Sequence, residues 1–237
     1  VTDAPLTEAP GRVGRGVRAA LEVPAFRRLW LALSLSSLGD WLGLLATTAM
    51  AAALTTRSSS DQSYAVAGVF ILRLVPALIF GPLAGVVADR LDRRLTMIVA
   101  DVGRCGLFAS IPIVGTLQWL LIATFLIETL GLFWIPAKEA SVPNLVPPER
   151  LESANQLSLA TAYGTAPLAA GLFTVLSLLT GTLGAQFVFF VHHPAALPLW
   201  FDAATFAFSA ATIATLDLSG SRSGHVAGEH PLRTLVD

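Results

Sequence analysis

Six apolar runs, each long enough for a helix to cross a bilayer, take up most of this chain. A crossing needs about 20 helical residues. The runs are Leu29–Leu54, Tyr64–Ala88, Leu95–Gly115, Leu117–Ala137, Ala154–Gly181 and Leu197–Leu216. Hydrocarbon offers no partner to a bare backbone N–H or C=O, so only helices or closed barrels span it. The strict alternation of a barrel strand is missing from these runs. The fold class that follows is an all-α membrane protein with six transmembrane helices. Composition agrees: of 237 residues 54% are hydrophobic and 13% charged, against roughly 25% charged in a soluble domain. So few charges cannot coat a water-soluble globule. Gly115-Thr116 is nearly the whole link between the third and fourth runs, and Pro112 and Gln118-Trp119 mark it as a tight interfacial turn.

The fifteen basic residues set the orientation. With the N-terminus in the cytoplasm, twelve fall inside: Arg12, Arg15, Arg18, Arg27, Arg28, Arg90, Arg93, Arg94, Lys138, Arg150, Arg222 and Arg233. Arg57 falls outside, and Arg73 and Arg104 fall within spans. Both termini are therefore expected in the cytoplasm, with the protein multi-pass in the cell membrane. Residues 1–28 read as a cytoplasmic tail, 29–216 as the helix bundle, and 217–237 as a polar tail or the start of an inter-half linker. A net charge of −1 gives no reason to expect a nucleic-acid partner. The single Cys105 excludes an intramolecular disulfide.

Ionisable side chains at membrane depth are costly and mark functional sites by default. Here they are Asp40, Arg73, Asp101, Arg104 and Glu128. Counting helical rise from the cytoplasmic ends puts Asp40 about one turn from Arg73, and Glu128 level with Arg104. Asp101 and Arg104 stand at the i,i+3 spacing. Two clusters are expected, Asp40/Arg73 and Glu128/Arg104/Asp101. Asp40 and Glu128 each lie eleven residues into their spans. That is the placing two inverted three-helix repeats would give to carboxylates near a central interface. Desolvation disfavours an ionised carboxylate, as a reversible proton carrier requires. The same charges could equally do no more than neutralise one another within the bundle.

After the second run comes Gly81-Pro82-Leu83-Ala84-Gly85-Val86-Val87-Ala88-Asp89-Arg90-Leu91-Asp92-Arg93-Arg94. Its small residues allow close helix packing, and its acid and arginines suit a conformational latch. The stretch from Gly85 to Arg94 resembles the signature loop between spans two and three of the major facilitator superfamily. Asp92 stands where that family usually has glycine, which adds a potential local Asp–Arg pair. Pro136 to Pro147, with Glu149, Ala154 and Asn155, is similar to the span-four/five connection of the bacterial drug- and siderophore-exporting branch. Gly164-Thr165-Ala166-Pro167-Leu168-Ala169-Ala170-Gly171 resembles the antiporter motif, with Ala166 and Ala170 replacing glycines. The span-four arginine of many members is not evident; Glu128 occupies that region.

The resemblance implies a secondary active transporter, proton-coupled and exporting small amphipathic molecules by alternating access. No enzyme activity, cofactor or metal is expected. His192-His193 have no nearby acid or Cys in sequence, and no Walker lysine or Gly-x-Ser-x-Gly nucleophile motif is present. Met50, Phe70, Phe133, Trp134 and Tyr163 are candidate cavity-wall residues. Phe187–Phe190, Trp200 and Phe201 read as interfacial aromatics, and Asp202 as a pairing or capping group near the outer end of span six. Members of the family typically have two six-helix halves, and the resemblance covers only the N-terminal one. A truncated or split half, or a homodimer, is therefore expected. The rival reading is a non-transporting membrane protein that partners a full transporter.

Overall fold

The computed structural model describes residues 18, 21–55, 58–88 and 91–216. Eight α-helices lie among them: α1 Pro24–Ala53, α2 Ser59–Ala88, α3 Arg93–Val114, α4 Leu117–Leu145, α5 Leu151–Gly164, α6 Ala166–Gly184, α7 Val188–His192 and α8 Ala196–Ala214. A 3₁₀ turn, Pro148–Arg150, precedes α5. Six spans are long and apolar enough to cross a membrane, the fifth made of α5 and α6 together.

Local chemistry fixes where the helices start and stop. Pro24 opens α1 at the position where its missing N–H costs nothing. The helix thus begins inside the stretch expected to be tail. Asp92 caps α3 by accepting from the Leu95 N–H at 2.9 Å. It serves as a helix cap, and the anticipated Asp92–Arg pair is absent among the described residues. At the other end of α3, Gly115 adopts φ +63°, the left-handed conformation that ends a helix. Thr116 then caps α4 through the Trp119 N–H at 3.3 Å. The third and fourth spans are joined by these two residues alone.

The fifth span was expected to be one helix over Ala154–Gly181. It divides at Thr165, between α5 and α6, because Pro167 has no N–H to offer the carbonyl of Tyr163. Two indoles of α1 hold this break: Trp30 Nε1 donates to Thr161 Oγ1 at 2.9 Å and Trp41 Nε1 to the Ala162 carbonyl at 2.8 Å.

The principal contacts obey an exchange rule. The first span packs on the fifth and sixth, the fourth on the second and third, and the third on the sixth. Exchanging spans one to three with spans four to six returns the same network, which is the arrangement expected of two three-helix repeats. Each repeat leaves its apolar faces to be covered by the other.

The core is divided along the bundle axis. At the end holding Pro24, Arg93 and Leu145, Phe26, Leu29, Met97, Trp134, Ile213 and Leu216 form one apolar cluster. At the opposite end Met50, Phe108, Ile111, Leu120, Leu199 and Phe206 form another. Between them lie buried Ser36, Asp101, Arg104, Asp202, Thr205 and Ser209. The polar layer is thus closed off on both sides by hydrocarbon.

The turn at Gly115 offers a direct check. A Cβ there would lie 2.5 Å from His193 Nε2, and the backbone conformation is itself unfavourable to L-residues. Gly115→Ala is expected to destabilise the bundle by about 1–2 kcal/mol, read as a lower thermal midpoint in detergent. An unchanged midpoint would contradict the left-handed turn.

Candidate functional site

The polar layer brings the five embedded charges together, in pairs different from those expected. Arg104 Nη2 on α3 donates to Asp40 Oδ1 on α1 at 2.9 Å. Arg73 Nε on α2 meets Glu128 Oε1 on α4 at 2.8 Å. The expected Asp40/Arg73 and Glu128/Arg104 pairs are therefore corrected to Asp40/Arg104 and Glu128/Arg73. Helical rise gave heights along the axis, but the direction in which each side chain leaves its helix decides the partners. Asp40 reaches Arg104 from the first span to the third, although these two helices barely touch, and Arg73 reaches Glu128 between the packed second and fourth spans. Asp101 keeps its expected neighbour, with Oδ1 3.6 Å from Arg104 Nη1.

Arg104 is the hub. Its guanidinium lies 4.3 Å from the centroid of the Phe206 ring, which stacks in turn on Phe108 with 5.6 Å between centroids. A cation over a desolvated ring gains where a water shell is missing. Gly131 of α4 lies alongside, where a Cβ would stand at ordinary contact distance, 3.5 Å, from Nη2. Asp101, wholly buried, accepts from Ser209 Oγ at 2.7 Å, so α8 holds one acid of the cluster. The Asp40 side chain is 42% exposed and that of Glu128 25%, whereas Arg104 is 8% exposed. Asp40 is therefore the open member of its pair, whereas Arg73, 20% exposed, is about as accessible as Glu128.

Asp202 was read as a peripheral cap and is a member of this layer. It is fully buried in α8, against Gly39 and Gly43 of α1. Its position in a mostly small and aromatic run, Phe201-Asp202-Ala203-Ala204-Thr205, carried the signal; the reading went wrong by placing it close to an outer boundary.

At the end holding Arg93, the signature loop does two separable things. Arg93 Nη1 donates to the Ala140 carbonyl of α4 at 2.8 Å, and Arg94 donates to the Ala214 carbonyl of α8. Both arginines thus bind carbonyls near helix C-termini, where positive charge is favoured, and tie the start of α3 to two other spans. Gly81 and Gly85 fall within α2. Asp89 and Arg90 lie outside the described residues, so the acid half of the expected latch has no structural account.

The antiporter-like motif, whose Gly164 and Gly171 suit close helix packing and whose Pro167 suits a bend, surrounds the break in the fifth span. Pro167 sits at the α5/α6 break. Yet no heavy atom approaches within 4 Å of where a Cβ would stand at Gly164 or Gly171. These glycines meet no neighbouring helix among the described residues. The wall candidates scatter: Met50 and Trp134 are core, Phe70 and Tyr163 are exposed, and Phe133 lines an apolar pocket of about 370 Å³ beside Leu95 and Val99. The outer aromatics form a packed knot. Phe189 stacks on Trp200 and on His193, and Trp200 Nε1 donates to the Ala109 carbonyl at 3.2 Å. His193 is committed to this knot, with Nδ1 2.8 Å from the Phe189 carbonyl oxygen.

Six apolar spans with ion pairs at mid-height are the architecture of a polytopic membrane protein. The sequence profile of the transmembrane secretion effector family matches residues 16–205. The chain belongs to that family, within the major facilitator superfamily. It is 29% identical over 144 residues to the uncharacterized MFS-type transporter YfiS of Bacillus subtilis, covering 58% of this chain and 34% of that protein. It is 30% identical over 181 residues to the uncharacterized MFS-type transporter Rv0037c of Mycobacterium tuberculosis, covering 73% and 39%. Macrolide efflux protein A of Streptococcus pyogenes is 33% identical over 103 residues, covering 41% and 25%. The chain thus spans well under half the length of the curated relatives it matches. No solved structure matches it.

The pairing is open to double-mutant cycles. Asp40→Asn with Arg104→Gln, and Glu128→Gln with Arg73→Gln, should each show coupling of about 0.5–3 kcal/mol in unfolding free energy. Asp40→Asn with Arg73→Gln should be nearly additive. Strong coupling in that last pair would restore the pairing expected from sequence.

Proposed function

We propose that this chain forms one six-helix half of a proton-coupled exporter of small amphipathic compounds, working by alternating access. The observation that carries the proposal is the pair of mid-height carboxylates, Asp40 and Glu128. They stand on equivalent spans of the two repeats, each bound to an arginine and each partly open to the space beside the bundle. A bridge that opens when a carboxylate takes up a proton links protonation to the packing of the helices that carry it. The macrolides in the efflux relatives' name support small amphipathic compounds as the cargo.

The uncovered spans support a second six-helix unit. Of the apolar windows, 17% is buried in span two and 11% in span five, against 39–56% in the other four. The open space beside Gly164 and Gly171 lies on that fifth span. Small residues without a neighbour suit close approach of another helix in lipid. The basic residues at one end support an orientation with both termini in the cytoplasm and residence in the cell membrane. Arg27, Arg28, Arg93, Arg94, Lys138 and Arg150 all belong to it. Arg93 and Arg94 act there as conformational latches by holding α4 and α8.

The test is uptake of a radiolabelled macrolide into inside-out proteoliposomes under a pH gradient, with the chain alone and with a second six-helix unit added. Gradient-driven uptake is expected with the paired units. The well-inserted Asp40→Asn/Glu128→Gln double variant should lose it by about tenfold or more. Full uptake by that variant would remove the carboxylates from the coupling.

A further inference from the structure

Asp202 is wholly buried, and its surroundings differ from those of every other acid in the layer. On α1, Gly39 and Gly43 open a slot for its carboxyl. A Cβ at Gly39 would lie 2.3 Å from Oδ1, and one at Gly43 2.3 Å from Oδ2. Thr205 Oγ1 approaches Oδ1 at 3.3 Å while donating at 2.7 Å to the Asp202 carbonyl. Oδ2 has no hydrogen-bond partner. Among the described residues Asp202 makes no ion pair. A charged oxygen left bare in such a place is strongly disfavoured.

The charges around it deepen the imbalance. The charged and titratable groups near it are Asp40 on α1, Arg104 and the Cys105 thiol on α3, and Arg73 on α2. Arg104 is already bound to Asp40 and stands beside Asp101. Arg104 is therefore committed to two other carboxylates, and among the described residues no ion pair reaches Asp202. A slot that a methyl group would overfill has no room for a hydrated cation. Among the described residues no group of three His, Cys, Asp or Glu is placed to hold a metal ion. A proton is the ligand that fits.

We propose that Asp202 is a proton-binding site gated by the packing of α8 on α1. With the two helices in contact, Oδ2 carries a proton as a neutral carboxyl group. When they separate, water reaches Oδ2 and takes the proton, leaving a carboxylate whose charge is met by Arg104 as its bridge to Asp40 opens. Reclosure requires uptake of one proton from water. The gating links helix movement to one proton bound or released. Its use in transport rests on the exporter reading above; the binding site itself does not.

The experiment uses the complete 237-residue chain, carrying ¹³C-labelled aspartate, in lipid vesicles. Infrared spectra at neutral pH should show the carbonyl stretch of a protonated, isotope-labelled carboxyl. Asp202→Asn should lose one carboxyl's share of that band. A wild type with no such band, or an Asp202→Asn protein with the full wild-type band, would overturn the proposal. If Asp202→Asn does not insert, Gly43→Ala replaces it, since the added methyl must displace Oδ2 and shift the band; an unmoved band counts against the site. A wild type that shows the band but transports no macrolide with a second six-helix unit present would sink the exporter reading and leave the proton site standing.

Discussion

The guanidinium of Arg104 organises the middle of the bundle. It reaches Asp40 on one repeat's first span, lies beside Asp101 on its own helix, and covers the ring of Phe206 on the sixth span. Three spans therefore converge on one cation. Removing a charge partner from a desolvated site leaves the other uncompensated, typically at several kcal/mol. The polar layer consequently depends on helix placement, and helix placement depends on the layer. Apolar packing at either end supplies cohesion but little specificity, since lipid tails are as apolar as the side chains they would replace.

Glycine makes that convergence possible. Gly39 and Gly43 bring α1 within reach of α8, and Gly103 admits Leu130 of α4. Each removes a side chain at a point where two helices or a charge must pass closely. The same residue type at Gly164 and Gly171 meets empty space. One composition therefore serves two situations within a single bundle, filled interior crossings and an unfilled outer face.

Sequence disclosed the number, order and approximate limits of the spans, because hydrocarbon length is written directly in apolar runs. It also disclosed five of the embedded charges, Asp40, Arg73, Asp101, Arg104 and Glu128, but not Asp202. What it left obscure was azimuth, the direction in which each residue points around its helix. Asp40 and Arg73 stand at similar heights but do not pair, and only packing could reveal that α1 turns its acid toward α3. Asp202 was misplaced for a related reason: a residue six positions into a helix looks peripheral until the helix is seen to be buried at its start, with Ala196 and Leu199 already in the core. Pro167 was legible as part of the antiporter-like motif, but a full division of the fifth span was not. That outcome depended on the indoles of α1 taking up the polar groups around the break.

Those indoles have an optical consequence. Trp30 and Trp41 both donate across the boundary between the first span and the lower segment of the fifth. Indole emission responds to the polarity and hydrogen bonding around the ring nitrogen. Any swing of α5 away from α1 would exchange two protein acceptors for water or lipid, reddening or quenching the intrinsic fluorescence without a label. Trp119 and Trp200, which donate to Ser110 and Ala109 at the opposite end, provide a reference set tied to a different junction. The molecule carries its own gauge of which end is moving.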